Sequence, residues 1–399
     1  MLTGLKVVEY ATYIAAPAAG GMLADWGADV IKIEPLKGDP IRGFFDSIGA
    51  EAAGNPVFDL DNRGKRSLAL DTSRPEGAEA VRRLAAAADV FLTNIRPASL
   101  KRSGLDWETL QKINSRLVYA IVTGYGLSGP QADKPAMDVA AFWSRSGMGR
   151  LTTPKDQEIF QSRTGMGDHI TGVAATSGIM GALYARERTG KGRLIETSLL
   201  RAGIYSIGSD MAIQLRLGRI GSTRRRADSV NPLHNFFKAS CGNWICLMPR
   251  QGNADWPALC AALTRSELAT HERFATTRLR RENRAALVAE LDAIFAEHPL
   301  EHWAQALDAH DIVWAPVQTP AQVAIDPQAE ACGAFVQVSD GAGGSFRAPA
   351  TPVAFPGNER PAPRAAPTLG AHSTQILSEA GYSQAEIAAF AAAQIIGGT

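Results

Sequence analysis

The stretch TGMGDHITG, residues 164–172, places an acid, Asp168, and an imidazole, His169, between glycines, directly before the apolar small-residue run VAATSGIMGALYA. A carboxylate there has two chemical uses. It can cap the helix that the small-residue run predicts, as Asp does at many N-termini. It can also be a reactive group, with glycine neighbours that let a bulky substrate approach and turn backbone N–H groups toward it. The residues alone leave both open. His169 is a candidate neighbour of the same substrate, although adjacent helical residues need not face one point.

Other patterns with chemical potential are weaker. GYGLSG (124–129) fits G-x-G-x-x-G after a strand-like run, but a dinucleotide site needs a helix to start there, and Pro130 with the polar QADKP follows instead. HPLEH (298–302) spaces two imidazoles as an inverted zinc-hydrolase motif does, yet Pro299 interrupts the helix that would carry both, so no metal is expected. Cys241, Cys246, Cys260 and Cys332 are too few and too irregular for a disulfide framework or a zinc knuckle. No G-x-S-x-G elbow occurs, and His234 in NPLHNFF reads as structural.

The elements around Asp168 follow from periodicity. LKVVEY, DVIKIE, SLALD, DVFLTNI and LVYAIVTGYG read as buried strands, separated by helix-like APAAGGMLADWGA, RPEGAEAVRRLAAAA and DWETLQKIN. Such alternation predicts an α/β fold with a parallel sheet and helices on its faces. A second unit follows, with NWICLMP as a strand, NRAALVAELDAIFAEH as a helix and DIVWAPVQTPAQV as a strand running into a helix. The tail YSQAEIAAFAAAQII opens on a Ser383–Glu386 capping box. The domain expectation is 1–205 for a large domain, 206–224 as linker, 225–330 for a small domain, 331–370 as a proline-rich linker, and 371–399 returning to the large domain.

At 399 residues two cores are natural, and 41 basic against 40 acidic residues give no electrostatic reason to expect nucleic acid or an anionic membrane. The basic runs TRRRA (223–227) and RLRREN (278–283) read as solvated faces. No run reaches the ~18 apolar residues of a membrane helix, and the N-terminal stretch lacks a signal-peptide pattern, so a cytoplasmic protein is the expectation.

The opening LKVVEYATYIAAPAAGGMLADWGADVIKIEPLKGDPIR resembles the family III CoA-transferases, a group with formyl-CoA transferases, carnitine CoA-transferases and α-methylacyl-CoA racemases among its members. NRGKRSLALD, DVFLTNIRPASLKRSGLDWETL, IVTGYGLSGP, GMGDHITG, ALYARERTGKGRLIETSLL and PTLGAHSTQIL continue the resemblance in order over the whole chain. It implies a large domain with a Rossmann-like sheet, a smaller α/β domain, and two chains threaded as an interlocked homodimer. It also implies coenzyme A as a substrate, with no tightly bound cofactor, and Asp168 as nucleophile. A carboxylate suits that task, because it attacks an acyl-CoA thioester to give a mixed anhydride, and the CoA thiolate then gives an aspartyl-CoA thioester. Lys65, Asn94, Arg102 and Lys134 fall where the family contacts CoA; Arg96 and Lys37 join them on charge and position.

Departures from the family pattern touch the substrate. Ile14 stands where formyl-CoA transferases carry a Gln, and Met137 where racemases carry a proton-moving His. MPRQGN (248–253), with only Gly252, replaces their glycine-rich loop. The DVAAFWSRSGM and GMGDHITG segments resemble the mesaconyl-CoA and related dicarboxylate branch, where Arg250 would meet a second carboxylate. Two other functions are carried alongside: an acyl-CoA racemase exchanging an α-proton, and a non-catalytic CoA- or nicotinamide-binding protein.

Overall fold

The computed structural model describes residues 1–50, 54–221, 223–250, 252–357 and 363–398. The chain divides into two compact units: 1–150 with 159–220 and 333–399, and 151–158 with 221–332. The strands in chain order are β1 Lys6–Tyr10, β2 Asp29–Glu34, β3 Arg66–Leu70, β4 Val90–Thr93, β5 Val118–Thr123, β6 Leu194–Ser198, β7 Asn235–Lys238, β8 Trp244–Leu247, β9 Trp314–Val317, β10 Phe335–Ser339, β11 Ser345–Pro349 and β12 Ile396–Gly397.

In the first unit β1–β6 form a parallel sheet in the order 3-2-1-4-5-6, with β12 added antiparallel to β3 at one edge. This is the Rossmann-like order the resemblance implies. Alternate residues supply the two faces. Val7, Val90 and Leu92 pack with the Ala15–Asp25 and Met166–Thr189 helices on one side; Val8, Phe91 and Ile121 pack with the Pro75–Ala86 helix and Ile376 on the other. The helix Gly208–Leu217 occupies much of the expected 206–224 linker, and β10–β11 form a hairpin inside 331–370. The Ser383–Glu386 capping box is present at the helix Gln384–Ala392.

The order reverses between β1 and β4, and it is outside the carboxyl ends of such strands that α/β sheets bind ligands. Here Asn94 ties the two loops together: its Nδ2 donates to the Thr12 carbonyl (2.6 Å) and its Oδ1 accepts from the Thr12 N–H (3.0 Å). Tyr13 follows with φ +64, a left-handed backbone that costs a non-glycine residue roughly 1 kcal/mol. Its N–H donates to Asp39 Oδ1 (3.0 Å), which holds the turn in place.

Beneath those loops lies a buried charge network. Glu9 Oε2 accepts from Lys65 Nζ (2.6 Å) and Glu9 Oε1 from Lys32 Nζ (3.2 Å), while Lys32 also meets Asp39 (2.9 Å). Lys65 further donates to the Pro17 carbonyl and to Asn62 Oδ1. Burial pulls its pKa down to about 8 against the opposing pull of Glu9. Gly20 admits the network, since a Cβ there would stand 1.8 Å from Glu9 Oε2.

The second unit has the antiparallel sheet β7-β8-β9 over a core with Trp256, Phe295 and Trp303. Removing one partner of a buried pair leaves its counter-charge stranded, at about 3–5 kcal/mol. Lys65→Met is therefore expected to lower stability by that order in a urea titration. Unchanged stability with weakened CoA binding would instead make Lys65 a ligand contact.

Candidate active site

Asp168 is the third residue of the Met166–Thr189 helix, so the helix starts two residues before it rather than after it. The N-cap is Gly165, at φ +87, and it makes no side-chain cap bond. Asp138 takes that duty from another segment: its Oδ2 accepts from the Gly167 N–H at 3.1 Å. Asp168 is thus relieved of the capping role, and among the described residues no hydrogen-bond donor is seated on its carboxylate. Glycines set this placement. A Cβ on Gly167 would stand 2.2 Å from Phe142 and 2.3 Å from Asp138 Oδ1. One on Gly172 would stand 2.9 Å from the Ala15 carbonyl. Gly172 is one turn along the stripe that carries Asp168, so close backbone packing on the Ala15–Asp25 helix fixes where the acid stands.

Electrostatics then tune it. Burial, and after it the charge of Asp138, push the Asp168 carboxyl up to about 7; His169 pulls the other way. Burial also raises Asp138, against the amides of Gly167, Gly165 and Asp168. His169 Nε2 lies 3.1 Å from Oδ1 of Asp61, whose side chain is 4 % exposed. That hydrogen bond is the main reason the imidazole is raised above its ordinary 6.5, against burial. The cluster is three aspartates and one imidazole whose partner favours its cationic form.

The other sequence candidates are placed as follows. Ile14 is buried, its Cδ1 3.4 Å from where a Gly165 Cβ would be, so it borders the site. Met137, beside Asp138, is exposed, and its carbonyl accepts from Ala140 and Ala141 at the start of the Val139–Ser144 π-helical segment. Lys65 and Asn94 are spent on the internal bonds described above. Arg96, Arg102, Lys134 and Lys37 are exposed in the same unit, Arg96 as N-cap of the helix Pro97–Ser103 and Lys134 over the Tyr125 ring at 5.8 Å. Arg250 and Gly252 belong to the second unit. There Arg250 Nη2 meets Asp311 at 2.5 Å and the Gly252 carbonyl accepts from Arg280 at 2.6 Å.

Asp61 and Asp138 were missed in the sequence. Asp61 stands immediately before the NRGKRSLALD stretch, 108 residues from His169, and nothing local links the two. No helix starts after GYGLSG; Leu127 N–H instead donates to Glu196, so the dinucleotide fingerprint lacks its helix N-terminus. Pro299 is the N-cap of the helix Leu300–Ala309, with His298 outside it, and among the described residues no group of three His, Cys, Asp or Glu could hold a metal.

Comparison with known proteins places this arrangement. The model of the CoA-transferase family III matches residues 2–373. The (R)-2-hydroxy-4-methylpentanoate CoA-transferase of Clostridioides difficile is 30% identical, covering 99% of both chains. The cinnamoyl-CoA:phenyllactate CoA-transferase of Clostridium sporogenes is 31% identical over 97% of this chain and 95% of that one. A CAIB/BAIF family protein from Brucella suis has a crystal structure that superposes with a TM-score of 0.83 at 32% identity, covering 95% of this chain and 99% of that one. With that match running through the sheet and the Asp168 helix alike, the chain belongs to the CoA-transferase family III and is a CoA-transferase acting between acyl-CoA and carboxylic acids.

Proposed function

We propose that Asp168 carries CoA transfer covalently. Its carboxylate oxygen attacks the acyl-CoA carbonyl, the C–S bond breaks, and CoA thiolate leaves a mixed anhydride. The thiolate attacks the aspartyl carbonyl, releasing the donor acid and leaving an aspartyl-CoA thioester. The acceptor carboxylate attacks that thioester, thiolate leaves again, and its return to the acceptor's carbonyl gives the new acyl-CoA and frees Asp168. No net proton or electron is consumed. The observation that carries this reading is that Asp138 caps the helix while the Asp168 carboxylate is left without a hydrogen-bond donor among the described residues. Free lone pairs are what a nucleophile needs.

The racemase reading requires a second proton carrier. Met137 supplies none, and His169 Nε2 is committed to Asp61. For substrates, the curated relatives act on 2-hydroxy, aryl and dicarboxylic acids, and a panel of such acids with their CoA thioesters is the place to start. A homodimer, interlocked as the resemblance implies, belongs to the proposal. It is supported by exposed apolar residues on helices of the first unit: Met166, Ile170 and Val173, then Tyr205, Leu215 and Leu217. Light scattering is expected to read twice 42.4 kDa, and a mass of one chain would remove this part.

Intact-protein mass spectrometry with the acyl-CoA panel is expected to show a CoA-sized adduct, converted by hydroxylamine to a hydroxamate at Asp168. Asp168→Ala is expected to lose the adduct and at least about 10³-fold in kcat. An adduct that survives the substitution would overturn the assignment. Because the folded carboxyl is raised to about 7, it is ionised only above that pH, and kcat/KM is expected to fall about tenfold per unit below it. Asp138→Asn removes a repelling charge while keeping a cap acceptor, so the acid limb is expected to move to lower pH; an unmoved limb would contradict this electrostatic account.

A further inference from the structure

We propose that His169, pinned by Asp61, forms a docking point for the carboxylate of the substrate acid, in a site otherwise negative. This rests on Asp168 being the nucleophile and adds what brings the second carboxylate to it. Release of the donor acid and attack by the acceptor acid each set an anionic carboxylate beside an anionic cluster. The charges Asp168 faces are Asp138 and Asp61, which repel a carboxylate, and His169, which attracts one. No lysine or arginine is among them.

The geometry suits the task. Asp61 sits near the end of the Pro56–Asn62 helix, and the backbone there is fixed by Gly21, where a Cβ would come 2.7 Å from the Asp61 carbonyl. Its carboxylate is buried and holds Nε2 of the imidazole at 3.1 Å. A buried carboxylate on one ring nitrogen orients the ring and stabilises its cation. The rest of the ring is not buried: the side chain is 43 % exposed. Its Nδ1 edge lies 3.5 Å from where a Cβ on Gly165 would stand, and Ile14 borders the same point. The Gly165 carbonyl faces the same ring and favours its protonated form, so with Nε2 on Asp61 the exposed part of the ring offers a substrate acid its positive charge and its carbon edge.

The titratable groups around the ring are Asp61, Asp168 and Asp138, all acidic, so each favours the imidazolium. In the reaction, one oxygen of the acceptor carboxylate rests against the exposed part of the imidazolium, held there by its charge, while the other attacks the Asp168 thioester carbonyl. The CoA thiolate departs, and the imidazolium keeps its proton. Asp61 is a positioning residue, acting through His169. Ile14 makes the wall beside this point apolar, so the acid carried there presents its carboxylate to His169 and carbon to Ile14.

The test separates binding of the acid from attack on the acyl-CoA thioester, which brings no free carboxylate at the reacting carbon. His169→Gln is expected to form the Asp168 adduct from acyl-CoA, yet to raise the acceptor KM at least tenfold. In the wild type the acceptor KM is expected to rise as pH climbs through the imidazole pKa, and in Asp61→Asn to rise from a lower pH. A second readout needs no turnover. In protein carrying ring-labelled histidine, acetate is expected to shift the His169 resonance, and chloride at equal ionic strength to leave it in place. An unchanged acceptor KM in His169→Gln, or no response to acetate, would overturn the docking role. Absence of any adduct in the wild type would instead strike the nucleophile assignment, while the acetate response would still report on His169. Should His169→Gln fail to fold, the Asp61→Asn pH profile and the acetate titration decide.

Discussion

Gly172 lets the Met166–Thr189 helix ride on the backbone of the Ala15–Asp25 helix, with no side chain between them at that point. The placement of Asp168 one turn earlier depends on this contact, and so does its electrical environment. Helices that pack through side chains stand 8–10 Å apart; a glycine against a carbonyl brings them closer. Asp168, carried one turn along this seam, is half-buried, with no hydrogen-bond donor on its carboxylate among the described residues. Burial then raises its pKa, as the value near 7 reflects. The arrangement is costly to the fold and useful to a nucleophile, a common opposition at active sites.

The neighbouring charges divide the work. Asp138 satisfies the helix N-terminus, which frees Asp168 from that role, and its negative charge lifts Asp168 further. Asp61 holds His169 and favours its cation. Below the loops, the pairs of Glu9 with Lys65 and Lys32 fix the carboxyl end of β1, and Asp39 carries the network to the strained turn at Tyr13. The loops at the carboxyl end of the sheet therefore rest on ionic contacts buried at 0% side-chain exposure.

Much of the scaffold was legible. Alternating strands and helices show the parallel sheet because each strand is buried on both faces and reads as a continuous apolar run. The start of the Asp168 helix was misread for a physical reason: Gly165 at φ +87 and the remote Asp138 begin it, and neither leaves a local capping signature. The resemblance sets Lys65 where the family contacts CoA, and only the fold shows it turned inward to Glu9. The Asp61–His169 pair is separated by 108 residues, so no spacing rule reaches it. GYGLSG misleads in the opposite direction, a motif without the helix that gives it meaning.

Oxygen labelling tests covalent transfer through Asp168 most directly. An acceptor acid carrying ¹⁸O in its carboxylate must leave one oxygen behind when thiolate cleaves its anhydride with Asp168. The account therefore expects ¹⁸O in the peptide containing Asp168 after turnover with the labelled acid and an acyl-CoA donor. Label passing straight from acceptor to released donor acid, with none in that peptide during a single turnover, would contradict it.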